Sequence, residues 1–302
     1  MSGETHDRYS RAWNALEGLS VGDAFGEGFF TDPESAEEMI ETRTAPEPIW
    51  RYTDDTQMSL SIVSALRQQG EIEQDLLATS FVEHYEYARG YGPSMHRLLA
   101  AVREGTAWQE AASAKFAGQG SFGNGAAMRA APIGAYFADD LEKVVQQTTL
   151  ASVVTHTHPE AIAGAIAVAV AAALATRLHV AKQNTTGADF LAAVAQSVLE
   201  SQVKARLVRA QGMLDASVGF AVTVLGNGMQ LSAQDTVPFA LWCACQHLFD
   251  YEEALWLAVS GLGDRDTLCA IVGGIVALSA GTDSIPAAWR AAREPLPEWI
   301  SA

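Results

Sequence analysis

Two short acidic stretches stand out by residue type and spacing. Thr53-Asp54-Asp55-Thr56 sets two adjacent carboxylates between two hydroxyls, directly before an apolar run. Asp and Thr are good helix N-caps, and negative charge at a helix N-terminus is favoured by the macrodipole, so a cap accounts for one of these residues. Two carboxylates and two hydroxyls, all oxygen donors, also make what a hard cation binds. Capping and metal binding both fit this stretch on its own. The second stretch is Gly263-Asp264-Arg265-Asp266-Thr267, which again leads from acidic residues into an apolar run. Its carboxylates alternate, so in an extended segment both point to one side with Arg265 opposite. Two alike, oxygen-rich helix openings more than 200 positions apart suggest two halves of one binuclear site. Oxygen donors without a Cys/His set favour Mg²⁺ or Mn²⁺ over Zn²⁺. Gly263, Gly273 and Gly274 allow the backbone to come close.

A third constellation, residues 118–129 (GQGSFGNGAAMR), contains a formal GxGxxG match. A dinucleotide fold needs a strand before that motif, whereas residues 108–116 carry a helical pattern, so the Rossmann reading is rejected. Four glycines in eight residues still expose backbone N–H groups that can form a nest for a phosphate or diphosphate. A plain flexible turn is the alternative. Gly18-Leu19-Ser20-Val21-Gly22 spells GxSxG, but a nucleophile elbow needs a strand-to-helix turn, and the flanks here are helical and glycine-rich. Thr155-His156-Thr157-His158 reads as a hydrogen-bonding histidine and a helix entry at Pro159 rather than a metal pair. Cys243 and Cys245, two apart on a helix, point in different directions and read as buried thiols.

The elements that must position these residues are helical almost throughout. In residues 56–67, Met58, Leu60, Ile62, Val63 and Leu66 form one broad apolar face, and Gly70 follows as a C-terminal cap. Similar periodicity predicts helices over 8–19, 75–88, 141–153, 159–178, 189–201, 236–249, 251–259 and 266–280. Alternating β-branched runs bounded by turns are scarce, so the expected fold is all-α: a single many-helix orthogonal domain over residues 1–302. Convergence of the two acidic stretches would itself require one domain. Residues 161–175 lack any polar side chain but are mostly Ala, Gly and Val, and a bilayer span needs about 20 residues, so a buried helix is expected there.

Composition bounds the partners. The chain has 302 residues, with 19 Lys/Arg against 36 Asp/Glu and a formal charge of −17. That charge repels a phosphate backbone, which disfavours general nucleic-acid binding, and an anionic small ligand needs local help. The polar start MSGETHDRYS lacks a signal-peptide layout, and three cysteines cannot all pair, so a reducing, cytoplasmic setting and no membrane association are expected. A monomer is favoured.

Taken together and in chain order, the motifs resemble the ADP-ribosylglycohydrolases: GLSVGDAFG (18–26), TDDT (53–56), GYG (90–92), FAGQGSFGNGAAMR (116–129), Thr155-His156 and GDRDT (263–267). The resemblance covers nearly the whole chain. It implies an all-α fold and hydrolysis of the bond between ADP-ribose and its acceptor, a modified protein or a polymer, with two Mg²⁺ or Mn²⁺ ions. It implies that Thr53, Asp54, Asp55, Asp264, Asp266 and Thr267 hold the ions. Gly120, Ser121, Phe122, Gly123, Asn124 and Gly125 would hold the diphosphate, Phe116 would stack on adenine, and His156 would contact the distal phosphoribose. Gly90, Tyr91 and Gly92 would line the groove. The GYG and SFGNGAAMR wording resembles the serine-linked and poly(ADP-ribose) branch more than the arginine-specific one.

Two positions depart from the family pattern. Family members usually carry Glu seven residues after the Asp of the GDA motif, where this chain has Phe30. Glu27 in the same stretch is the candidate replacement as ligand or general base, and Asp55 and Asp264 are the other carboxylates placed for catalysis. Arg265 stands where a small polar residue is usual and is expected to pair with a nearby acid or the substrate. The absence of Glu at position 30 also motivates an alternative, a catalytically weakened ADP-ribose-binding protein of the same fold.

Overall fold

The computed structural model describes residues 3–300, with side chains from Asp7 onward; Met1 and Ser2 of the polar N-terminal segment lie outside it. The described residues form sixteen α-helices and, apart from two isolated bridges, no β-structure. The first eight are α1 (Gly3–Glu27), α2 (Pro33–Thr42), α3 (Asp54–Gln69), α4 (Gln74–Glu83), α5 (Pro93–Arg103), α6 (Trp108–Ser113), α7 (Ala131–Tyr136) and α8 (Leu141–Val153). The rest are α9 (Pro159–Ala181), α10 (Gly187–Ser197), α11 (Gln202–Gln211), α12 (Val218–Leu225), α13 (Ala233–Gln246), α14 (Tyr251–Ser260), α15 (Arg265–Ala280) and α16 (Ala287–Ala292). One continuous cluster of buried apolar residues extends from Ala12 to Ala292.

The helix α1 runs straight through the glycines at which residues 8–19 were expected to end. Gly18, Gly22 and Gly26 share one face, spaced four apart, and each meets the backbone of α15. A Cβ on Gly18 would lie 2.4 Å from the Gly273 carbonyl oxygen, one on Gly22 2.2 Å from that of Cys269, and one on Gly26 2.3 Å from that of Arg265. The partners also step by four, in reverse order, so α1 and α15 are antiparallel along a seam of near backbone contact. Gly in mid-helix costs about 1 kcal/mol against Ala, and here close packing of two helices offsets it. The seam sets the end of α1, with Asp23 and Glu27, beside the start of α15, with Asp266.

Local signals explain the other helices that carry the site. The Thr53 hydroxyl caps α3 by accepting the Asp55 N–H at 3.4 Å, and Gly70 ends it in the left-handed region at φ 75°. The expected single apolar face of α3 is an underestimate, because Thr56, Gln57, Ser59 and Ser61 are buried as well. In α9, Pro159 follows the His158 cap, and the 23-residue helix is buried along most of its length against α7, α8, α13 and α15. It is long and apolar enough to cross a bilayer, yet 78% of its most apolar window is buried by other helices. Cys243, Cys245 and Cys269 are free and buried, which was expected of the first two.

Several boundaries differ from expectation. The helix expected over 75–88 stops at Glu83, after which residues 85–92 turn toward Asp54. The one expected over 189–201 stops at Ser197, short of the Ser201 cap of α11, and the one over 236–249 begins and ends three residues earlier. Short helices such as α2 and α5, opened by Pro33 and Pro93, went unpredicted because their apolar faces are narrow.

Candidate metal centre and substrate cleft

The two acidic stretches meet. Thr267 Oγ1 lies 3.4 Å from Asp55 Oδ2, and ligand atoms of Asp23, Asp55 and Asp266 lie within 4.8 Å of one another. The stretch before α3 is held from both sides. Trp50 and Glu294 pair by backbone, Tyr52 N–H donates to Glu294 Oε1 at 2.9 Å, and Arg89 bonds Glu294 and the Tyr52 carbonyl. The Arg89 carbonyl in turn accepts the Asp54 N–H at 2.6 Å.

Asp23 is the residue that sequence reasoning passed over. It is fully buried and accepts from Thr53 N–H, Thr53 Oγ1, Thr56 N–H and Thr56 Oγ1 at 2.5–3.0 Å, so the carboxylate of α1 orders the start of α3. Three of those bonds fall on Oδ2 and one on Oδ1, which leaves Oδ1 the greater acceptor capacity. The signal was available: one charge inside the apolar face LSVGDAF needs a buried partner.

The carboxylates fit a hard cation on grounds internal to the structure. Asp55 Oδ1 and Asp266 Oδ1 are buried without a hydrogen-bond partner among the described residues. Burial first, and then the neighbouring negative charges, push Asp54 and Asp55 well above the usual carboxylate range. Burial and Asp264 raise Asp266 to about 8, and burial brings Asp23 to about 7 despite its hydrogen bonds. Orphaned oxygens and crowded like charge are both relieved by a divalent cation.

Beside this cluster opens a cleft of about 350 Å³. Asp54, Asp55, Asp264, Asp266 and Thr267 line it at one end, whereas Thr53 lies behind them with its hydroxyl on Asp23. Gly90 and Gly92 line it too, but Tyr91 between them is buried behind. Phe116, Ser121, Phe122, Gly123, Asn124, Gly125 and His156 line it as well. Gly120 does not reach the cleft; at φ 78° it packs where a Cβ would lie 1.9 Å from Thr157 Oγ1.

The glycine loop is not a flexible turn. Gly123 bridges Ser232, the Asn124 N–H donates to the Leu231 carbonyl at 3.2 Å, and Ala233 N–H donates to Phe122 at 3.0 Å. The N–H groups of Ser121 and Phe122 have no acceptor among the described residues, as a nest requires. The Asn124 amide does something the sequence did not disclose: it donates to Asp264 Oδ2 at 2.6 Å and to Thr236 Oγ1 at 3.0 Å, tying the loop to the acidic centre.

Buried Arg129 supports the loop from below. It donates to the Gly125 carbonyl and to Thr155 Oγ1, both at 2.7 Å, and Thr155 Oγ1 lies 2.6 Å from His156 Nδ1. Burial, with Arg129 and Lys115 nearby, holds His156 well below its ordinary pKa, so it is neutral. Thr155 Oγ1 accepts from Arg129 and so donates its own proton to Nδ1, which leaves Nε2–H as a donor. The ring lies against Gly125, where a Cβ would be 2.8 Å from Cε1. At the outer end the Phe116 and Phe122 rings lie 4.9 Å apart, and Phe116 is 55% exposed.

Glu27 ends α1 one turn after Asp23, half-buried rather than on a solvated loop. Burial, then Asp266 and Asp23, raise it to about 7. It lines a neighbouring cavity of about 500 Å³ with Pro46, Trp50 and Arg51, not the cleft itself. Arg265 makes no ion pair among the described residues. It stacks on Phe30 at 4.7 Å and donates to the Phe29 carbonyl, so the two unusual residues, Phe30 and Arg265, occupy each other.

Comparison with known proteins agrees with this architecture. The ADP-ribosylglycohydrolase family model matches residues 4–302. ADP-ribosylhydrolase ARH3 of Danio rerio is 27% identical over 96% of this chain and 88% of its own length. ADP-ribosylarginine hydrolase Tri1 of Pseudomonas putida is 26% identical over 92% of this chain and 73% of its own. A solved ADP-ribosylglycohydrolase-related protein complex superposes with a TM-score of 0.67 at 23% identity, covering 96% of this chain and 94% of that one, which establishes the fold. The motif order, the all-α architecture and the whole-length match agree, and the chain belongs to the ADP-ribosylglycohydrolase family.

Proposed function

We propose that this protein is a divalent-metal-dependent hydrolase that removes ADP-ribose from modified proteins or related conjugates, serine-linked or polymeric. The observation that carries the reading is the convergence of orphaned Asp55 and Asp266 oxygens beside a cleft that ends in a pinned glycine nest. Asp54, Asp55, Asp264 and Asp266, with the Thr267 hydroxyl, would hold two Mg²⁺ or Mn²⁺ ions, and Thr53 and Asp23 would order the set from behind. When bound, such ions ligate ribose hydroxyls and acidify water.

The chain's own residues supply the remainder. Departure of the acceptor from the anomeric carbon builds oxocarbenium character, so the ribose must be held still and water delivered to that carbon. Ser121 and Phe122 N–H groups and His156 Nε2–H are donors for the phosphates, and the Phe116–Phe122 pair is a stacking surface for adenine. Glu27, at the end of α1 beside Asp23 and Asp266, is the candidate general base, and Asp55 and Asp264 are the alternatives within the cleft.

The Phe30–Arg265 stack, standing where relatives carry Glu, favours the second reading, an ADP-ribose-binding protein with weakened catalysis. One assay separates them: Mg²⁺-dependent release of ADP-ribose from serine-linked, arginine-linked and polymeric substrates by wild type and Asp54→Ala. Release by wild type alone supports the hydrolase; binding of ADP-ribose without release from any substrate supports the second.

A further inference from the structure

The glycine seam between α1 and α15 stops at Gly26, which packs on the backbone carbonyl of Arg265. One residue later α1 ends at Glu27, with no basic residue in its last turn. A helix C-terminus leaves carbonyls without partners and carries partial negative charge. Here the Phe29 and Phe30 N–H groups fold back onto the Gly26 and Glu27 carbonyls, both at 3.1 Å, which closes the last turn but adds no counter-charge. Glu27 also follows Asp23 by four residues, on the same face of α1, and Asp23 in turn lies against Asp266. Like charges at that spacing repel. The end of α1 therefore needs a hold that the seam itself does not provide.

The Arg265 side chain supplies one. Its Nη1 donates to the Phe29 carbonyl, its guanidinium carbon lies 4.7 Å from the centre of the Phe30 ring, and its Nε donates to the Gly263 carbonyl at 3.4 Å. A planar guanidinium can hydrogen-bond at its edge and stack on a ring with its face at the same time. Phe29 is seated independently, with its ring 5.0 Å from that of Phe25 and 5.9 Å from that of Trp256. Phe30 is 49% exposed, so its own burial does little to fix it. Arg265 stands outside the cleft lining and so does not reach a ligand there.

We propose that Arg265 is a positioning residue: by clamping the Phe29 carbonyl and the Phe30 ring onto the start of α15, it fixes the last turn of α1 and holds the Glu27 carboxylate beside the acidic centre. The two residues that depart from the family pattern are the two halves of this clamp. Arg265 acts through Glu27 and not on the ligand. The proposal rests on the hydrolase reading only for what Glu27 does once it is held.

Wild type, Arg265→Met, Arg265→Lys and Phe30→Ala are compared by amide hydrogen exchange over residues 26–32, by calorimetric titration with Mg²⁺, and by kcat and KM for Mg²⁺-dependent release of ADP-ribose. Arg265→Met should speed exchange at Phe29 and Phe30 at least about tenfold through local opening. Its kcat should fall about 10- to 100-fold, the loss that a misplacement of about 1 Å causes, with KM near wild type. Mg²⁺ should bind no more weakly, because the lost charge is positive and stands next to Asp266. Arg265→Lys, which keeps a donor but not the planar fork, and Phe30→Ala, which keeps the bond to Phe29, should fall in between. In a Glu27→Gln background, Arg265→Met should cost less than about a further twofold, since both changes act on one group. Wild-type exchange at residues 29 and 30 overturns the clamp; a loss confined to KM or to Mg²⁺ affinity, or one that adds in full to that of Glu27→Gln, overturns the positioning role. Phe30→Ala, at an exposed position, carries the test if Arg265→Met does not fold. Faster exchange in the variants of a protein whose wild type releases ADP-ribose from no substrate would retain the clamp and overturn the hydrolase reading.

Discussion

Gly22→Ala probes the seam that assembles the centre. The new Cβ would sit 2.2 Å from the Cys269 carbonyl oxygen, against ordinary contact from 3.4 Å, so α1 and α15 must part by about 1.2 Å. The atoms the Cβ would meet are all backbone, and Gly18 and Gly26 hold the helices together on either side, so no rotamer change relieves the clash. Overpacking costs about 1–3 kcal/mol, and this geometry belongs at the upper end. Ala regains about 1 kcal/mol of helix propensity, leaving a net loss of about 2 kcal/mol. With an unfolding entropy of about 2.1 cal/mol/K per residue, over 302 residues, the melting temperature should fall about 3 °C. Gly219→Ala in α12 is the control, since its Cβ meets nothing within 4 Å. It should gain about 0.5–1 kcal/mol. Scanning calorimetry with and without Mg²⁺ reads both, and Gly22→Ala should also bind Mg²⁺ more weakly because Asp23 and Asp266 move apart. If Gly22→Ala is stabilised as Gly219→Ala is, the seam does not hold the centre as described.

Other consequences follow from the charges and the cleft. Asp266 at about 8 and Asp23 and Glu27 at about 7 retain protons in the folded state that the unfolded chain releases near 4. Without divalent cations, stability should therefore fall as pH rises from about 4 to about 8; a rise over that interval in EDTA would contradict the assignment. Mg²⁺ at a hundred times its Kd should restore about 2.7 kcal/mol, or about 4 °C, and Asp266→Asn should melt higher without Mg²⁺ and lose that increment. Glu27→Ala should reduce hydrolysis at least about 100-fold while ADP-ribose binding persists, and unchanged turnover excludes Glu27 as the base. Phe116→Ala should weaken ADP-ribose binding about tenfold through lost stacking, measured by fluorescence titration, with pyrophosphate binding unaffected.

Much of the centre was legible because its chemistry is written in residue type. The TDDT and GDRDT stretches announce hard oxygen donors, and the structure brings Asp55 and Thr267 together across more than 200 positions. Phe116, His156 and most of the glycine loop line one cleft. Tyr91, Gly120 and Thr53 lie behind it, because alternate residues of a turn face opposite ways and capping uses the threonine hydroxyl. Asp23 was masked by its apolar neighbours.

Helical class, caps, the kind of donor and the family resemblance depend on residue identity over a few positions, and the sequence by itself determined them. Whether Gly18, Gly22 and Gly26 break a helix or let two helices touch depends on a partner far along the chain. So do the tie of Asn124 to Asp264, the pairing of Arg265 with Phe30, and the half-burial that moves Glu27 toward neutrality. Each is a contact between side chains that only packing makes neighbours, because close approach and desolvation are properties of the assembled interior, not of local spacing.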